Sequence, residues 1–370
     1  MRWLLLYPVI LLLAGVAGAV EPFTEDGFRR ALPGYEFEFP RDHGAHPEFR
    51  TEWWYFTGNL ETAEGRAFGY QLTVFRTSLD PPGEGIGERS PLAASQLYIG
   101  HFAISDIRNE RHAAWERAGR EGFGQARASS ERLDIALGEW TIEMDDSEQI
   151  RLRAKEEGAA LELALIPEKP LVVHGEDGAH KKGEDPGQAS HYLSYTRLRT
   201  EGTLRWEGTE HTVTGLSWMD HEFGSAWLGE EETGWDWFAL QLDSGEDVMV
   251  YRLRRADGSY TQGGSGSVVE TDGAQRVLPW DGYTIEVLDT WESPHSGAVY
   301  PARWTIEMPG EEVVLEVVPL FADQEMLTER YTGTVYWEGA VRVEGTWRGE
   351  PVRGRGYVEL VGYAEEFGLL

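Results

Sequence analysis

The chain is predicted to be an all-β protein, a sandwich or a barrel, and three observations carry that expectation. Short segments of alternating, β-branched and aromatic residues recur along it, and turn signals such as "ADG", "MPGEE" and "RGEP" separate them at hairpin spacing. No long stretch keeps a helical period; only "TEDGFRRAL" and "FADQEML" suggest short helical turns.

The elements follow in order. The opening "MRWLLLYPVILLLAGVAGA" holds one Arg, an apolar run and a small-residue ending at Ala19, so residues 1–19 read as a cleavable signal peptide. The expected location is periplasmic or secreted. An uncleaved anchor is the alternative, although the run falls short of the roughly 20 residues of a comfortable span. The absence of cysteine removes a lipobox, disulfides, thiolate metal sites and a Cys nucleophile together.

What remains is longer than one hydrophobic core usually organises, so two domains are expected. Acidic residues number 64 against 33 basic ones, and the net charge of -31 repels nucleic acid and anionic headgroups. Nucleic acid is therefore not an expected partner. Two loops, 78–94 and 174–190, are too polar and too rich in Gly and Pro for a core; each covers a site or is a solvated insertion.

An internal repeat suggests the domain layout. "TEWWYFTGNLETAEGRAFGYQLTVFR" and "TGWDWFALQLDSGEDVMVYRLRR" match at one constant offset, Trp53, Tyr55, Phe56, Asn59 and Leu60 pairing with Trp235, Trp237, Phe238, Gln241 and Leu242. Each copy is read as the hairpin that opens a domain, giving domains over 20–224 and 225–370. Within the first copy, Trp53, Tyr55 and Thr57 face one way, while Glu52, Trp54 and Phe56 face the other. Neither face suits water. One must pack into its own barrel or sandwich; the other lines a cavity or meets the second domain. With 15 Trp in the chain, an aromatic cavity would suit an elongated apolar ligand. The candidate ligand-binding residues are Trp53, Trp54, Tyr55, His101, Tyr192, Trp235 and Trp237. Two domains that simply bury aromatics against each other is the other reading.

The candidate for chemistry is "TGLSWMDHEFGSAWLGEEETGWDW", residues 214–237, which joins the two expected domains. If extended, it places Trp218, Asp220 and Glu222 on one face and Met219 and His221 on the other. An acid among Trp and Met is desolvated, which raises its pKa and can keep it protonated as a general acid. A structural Asp capping a turn is the plainer alternative. His43, His46, His221 and Glu222 offer imidazole and carboxylate ligands, but their spacings match no metal motif such as H-E-x-x-H, and no metal is expected. No G-x-S-x-G elbow, P-loop or dinucleotide fingerprint is present.

"FPRDHGAHPEFRTEWWYFTGNL", "YIGHFAISD", "SHYLSYTRL", "VTGLSWMDHEFGS" and "GWDWFALQLDSGEDVMVYRLR", with "GRGYVELVGY" near the end, resemble successive motifs of the AttH-like family, which includes the CrtC-like carotenoid 1,2-hydratases. The resemblance spans about Phe39 to Gly362. It implies a pair of lipocalin-like antiparallel β-barrel domains packed together, and no cofactor. Some secreted members are encoded beside ABC-transporter components of the lipoprotein-export type, so the resemblance implies inner-membrane ABC-transporter components as candidate partners. Hydratase members add water to a terminal C=C bond. Carried over by motif, Asp220 is the proton donor, next to His221, with Trp218 in the aromatic place and His191 as the group that orients water. "SHYLSYTRL" and "WMDHEFGS" look closer to the secreted branch than to the pigment enzymes. The expected function is thus a lipocalin-like carrier of a lipid- or isoprenoid-like molecule, with a cofactor-free hydratase acting through Asp220, or a transporter scaffold with an empty core, as alternatives.

Overall fold

The computed structural model describes residues 20–82, 94–121, 123–183, 187–226, 229, 231–261 and 265–364. The expected signal peptide and most of the 78–94 loop lie outside them. Among the described residues there is no α-helix, only three short 3-10 turns, and the strands form two antiparallel sheets. Neither suggested helical turn forms as one. Thr24 to Phe28 is a tight turn held by the Thr24 hydroxyl, and Glu325–Thr328 is a strand paired with Thr334–Trp347.

The first sheet has 13 strands, all between Thr51 and Ala226. Its path runs from Arg111–Arg120 through Gln96–Asp106, Ala67–Ser78 and Thr51–Glu61 to Thr209–Ala226. It continues through Ala189–Trp206 and Ala159–Pro167 to the short strands that end at Ala126–Ala128. A bridge between Glu121 and Ala126 brings the two ends together and nearly closes a barrel. The second sheet has 10 strands between Glu232 and Val361.

Alternation decides what each barrel encloses. In Ile150–Glu156, Ile150, Leu152 and Ala154 are buried while Arg151, Arg153 and Lys155 face solvent, and Leu161, Leu163 and Leu165 of the next strand repeat the pattern inward. These join Trp54, Phe56, Leu72, Phe102, Trp140 and Met219 in the first core. Phe238, Val250, Trp304, Ile306, Trp337 and Val358 make the second. The long hairpin Ala189–Trp206 and Thr209–Ala226 turns at Glu207 and Gly208, both at positive φ, 50° and 80°. That is the pairing a two-residue hairpin turn of matching twist needs, and glycine supplies the second position without strain.

The two sheets meet face to face along the repeated strands Thr51–Glu61 and Glu232–Leu242. The repeat is visible in their hydrogen bonds: Asn59 Nδ2 donates to the Gly356 carbonyl of the second sheet at 3.1 Å, and its counterpart Gln241 Nε2 donates to Thr196 and Ser217 carbonyls of the first at 2.7 and 3.0 Å. Each amide reaches into the opposite sheet. A register shift between Tyr195 and Leu198 aims Thr196 and Arg197 at Asp247 of the second sheet. Lys169 completes that buried cluster at 2.8 Å from Asp247.

Candidate functional site

Between the sheets lies a cavity of about 380 Å³ whose walls come from both. Trp53, Tyr55, Phe75, Ile99 and His101 line one side, and Trp235, Trp237, Leu253, Tyr336, Glu359 and Val361 the other. Asp220 and Glu222 project into it from Thr209–Ala226. Antiparallel register explains the placement: Tyr55 sits opposite Asp220 and Trp53 opposite Glu222, so one face of two adjacent strands carries both rings and both acids.

Asp220 is buried and accepts three hydrogen bonds. Tyr192 hydroxyl donates to Oδ2 at 2.7 Å; Trp218 Nε1, at 2.7 Å, and Ser194 hydroxyl donate to Oδ1. Burial pushes its pKa up to about 7, against the pull of these donors and with a further push from Glu222. Tyr192 in turn accepts from Trp237 Nε1 at 3.1 Å, and Ser194 is paired with His174 Nε2 at 2.8 Å, whose Nδ1 meets Ser267 of the second sheet at 2.9 Å. The acid is thus held in one orientation by groups drawn from both sheets.

Three more carboxyls stand near Asp220, Glu222 and Glu359 lining the cavity and Glu338 held against the Tyr55 hydroxyl. Glu222 pairs with Lys182 at 2.6 Å and accepts from Ser190 at 2.6 Å. Glu359, partly open to the cavity, accepts from Trp235 Nε1 at 2.9 Å, and burial with the nearby Glu222 raises it to about 7. Glu338, its cross-strand neighbour, accepts from Tyr55 hydroxyl at 2.6 Å; burial, then Glu359, lifts it well above the usual carboxylate range.

Of the expected ligand-binding residues, Trp53, Tyr55, His101, Trp235 and Trp237 line the cavity. Trp54 does not. It points into the first barrel, fully buried, with Nε1 donating to the His43 carbonyl at 3.1 Å, because an odd step along the strand reverses its face. Tyr192 and Trp218 stand behind Asp220 and hold it rather than forming the wall. His221 is likewise corrected: it faces away from Asp220 into the barrel, where Nε2 meets Glu52 Oε1 at 2.8 Å. His191 is remote from the acid, packed with Tyr35, Phe49 and Phe223 and bonded through Nδ1 to the Gly178 carbonyl at 2.6 Å.

The residues weighed as metal ligands divide differently. Of those four, His46 and His221 converge on Glu52, which was not among them, whereas His43 packs against Phe39 and Tyr195 and Glu222 faces the cavity on the opposite side of its strand from His221. Glu52 takes His46 Nδ1 and His221 Nε2, each at 2.8 Å, on one oxygen and Arg76 Nε at 2.7 Å with His46 N–H at 2.9 Å on the other. With both imidazole nitrogens hydrogen-bonded to the carboxylate and a guanidinium on its second oxygen, the cluster is an ion-pair network.

Sequence reasoning missed Glu338, Glu359, Lys182, His174 and Tyr336. Lys182 and His174 lie in the 174–190 loop, one of whose two readings was a cover over a site. Glu338 and Glu359 are acids on an otherwise apolar strand face, in "VYWEGA" and "GYVELV", a signal available from the alternation alone.

Two antiparallel β-barrels packed on an aromatic, acid-lined cavity define a lipocalin-type two-barrel protein. The profile of the AttH-like family matches residues 30–363, and the chain belongs to that family. The crystal structure of an AttH candidate from Nitrosomonas europaea is 35% identical, covers 91% of this chain and all of its own, and superimposes with a TM-score of 0.82. Kievitone hydratase from Nectria haematococca shares the fold at 16% identity, with a TM-score of 0.67 over 93% of this chain and 98% of its own. The dehydratase asqC of Emericella nidulans is 24% identical over 152 residues, 40% of this chain; the match spans 42% of that protein's length.

Proposed function

We propose that this protein is a cofactor-free hydro-lyase, adding or removing water at a C=C bond of a neutral, hydrophobic molecule held in the cavity between the barrels. The observation that carries the reading is Asp220: a buried carboxyl facing aromatic walls, fixed by three donors, with a pKa near neutrality. Similarity to a hydratase fold and to a stretch of a dehydratase supports the same chemistry.

In the addition direction, protonated Asp220 gives its proton to one alkene carbon. The π pair forms the new C–H bond, and the adjacent carbon becomes a cation beside the faces of Trp53 and Trp237. Water adds there and gives its extra proton to the Asp220 carboxylate, which restores the acid. Elimination runs the same path backwards: protonated Asp220 gives its proton to the hydroxyl, water leaves, and the carboxylate then removes the C–H proton from the cation. Tyr192, Ser194 and Trp218 position the acid. The test is incubation with a neutral-lipid extract in ¹⁸O-labelled water. Molecules that change by the mass of one water with wild type, and not with a folded Asp220→Asn variant, support the reading. No such change with wild type refutes it.

A second reading is carriage of the same kind of molecule without chemistry, favoured by the enclosed aromatic walls alone. A ligand that co-purifies unchanged with both proteins would support it. Export to the periplasm, on the strength of residues 1–19, and association with an ABC-type transporter, on the family resemblance, are parts of the proposal.

A further inference from the structure

We infer that His101 donates a hydrogen bond to a neutral oxygen, a ketone or hydroxyl, on the cavity's ligand, and that carboxylate ligands are excluded. This deepens the proposed function by naming the ligand's chemistry; it rests on the cavity being the ligand site, and not on the reaction assigned to Asp220.

His101 comes from Gln96–Asp106, lines the cavity, and is 2% exposed. Its Nδ1 lies 2.8 Å from the Tyr336 hydroxyl, while its Nε2 is buried and has no partner among the described residues. A buried polar atom without a partner costs about 1–3 kcal/mol, so a ligand that satisfies it recovers that cost. The tautomer follows from the neighbours. Tyr336 hydroxyl, which Gln71 Nε2 approaches at 3.5 Å, has its own proton to give to His101 Nδ1, and in that arrangement the ring proton resides on Nε2. Burial lowers the imidazole pKa to about 3, so the ring is a neutral donor with one N–H to offer. Phe75, edge-on at 5.2 Å, fixes its plane.

Charge sets the second half. Asp220, Glu222, Glu359 and Glu52 line the cavity, and the three cations that line it with them are already paired, Lys182 with Glu222 at 2.6 Å, Arg76 with Glu52 at 2.7 Å and Arg50 with Asp26. A carboxylate ligand would face like charge, or would have to drive further protonation of these acids, and would have to compete with carboxylates that already hold the lining cations. The ligand is thus an uncharged, unsaturated or polycyclic molecule with one polar oxygen.

Three probes of one shape test this by equilibrium dialysis or calorimetry: 9-fluorenone, fluorene and fluorene-9-carboxylate. Wild type is expected to bind the ketone about tenfold more tightly than the hydrocarbon, the worth of one hydrogen bond, and not to bind the carboxylate. His101→Phe should equalise ketone and hydrocarbon with the hydrocarbon's affinity unchanged, and His101→Gln, which keeps a donor, should restore part of the preference. A ketone preference that survives in His101→Phe, carboxylate binding as tight as the ketone's, or no binding of any probe to the folded protein overturns the inference. Loss of turnover in Asp220→Asn with ketone binding intact would leave this inference standing, so it and the reaction fail separately.

Discussion

Asp220→Asn should make the protein more stable at alkaline pH, an unusual outcome for removing a charged residue at a functional site. The folded state raises this carboxyl from 3.8 to about 7, so between those values the native protein holds a proton that the unfolded chain has released. Stability from this group is therefore largest at acid pH, falls by up to about 1.4 kcal/mol per pH unit from about pH 4 to about pH 7, and levels off above. The accumulated penalty at pH 8 is up to about 4 kcal/mol. Asn reproduces the protonated carboxyl: it keeps one acceptor oxygen for Trp218 and Ser194, while the Tyr192 hydroxyl can rotate to accept from its NH₂. Urea unfolding from pH 5 to pH 8.5 measures the difference. The variant's profile should be flatter and cross above wild type near neutrality. Superimposable profiles, or a variant several kcal/mol weaker at pH 8, would show that Asp220 is ionised in the native state and would remove the acid from the mechanism.

Trp54→Ala should cost about 3–5 kcal/mol of stability, whereas Trp53→Ala should leave the unfolding midpoint near wild type and weaken fluorenone binding severalfold; calorimetric melting and dialysis separate the two. Asp247→Ala strands Lys169 and Arg197 where the sheets meet and should cost about 3–5 kcal/mol, while Asp247→Ala with Lys169→Met and Arg197→Met should recover part of it, both read by urea titration. Burial alone would raise the Glu52 carboxyl, yet Arg76 and His46 hold it well below its ordinary value. It therefore stabilises the fold above pH 4.5 and is lost on acidification. Glu52→Gln should destabilise by about 3–5 kcal/mol at pH 7 and flatten the acid limb of the stability profile, checked by unfolding from pH 2 to pH 7.

Alternation is a local property, and what depended on it was legible in the residues. Trp53 and Tyr55 do part from Trp54 and Phe56, and Trp218, Asp220 and Glu222 do part from Met219 and His221, because successive side chains of a strand must oppose each other whatever the strand pairs with. The repeat placed Trp235 and Trp237 where they would meet the first aromatic strand in one of its two readings, the other being a cavity, and both rings line the cavity with Trp53 and Tyr55. Which face became barrel and which became cavity was not legible. That depended on Met219 and Trp54 finding partners such as Leu72 and Phe102, which come from other strands of the barrel. The same distance hid the charge partners. His221 follows Asp220 in sequence but belongs to Glu52, 169 positions away, and Tyr55 answers to Glu338, 283 positions away. The sequence by itself determined the β architecture, the family and the side of the strand on which Asp220 stands. Tertiary structure decided what Asp220 faces and how far its proton is held, since burial and hydrogen-bond partners are set by strands far apart in the chain.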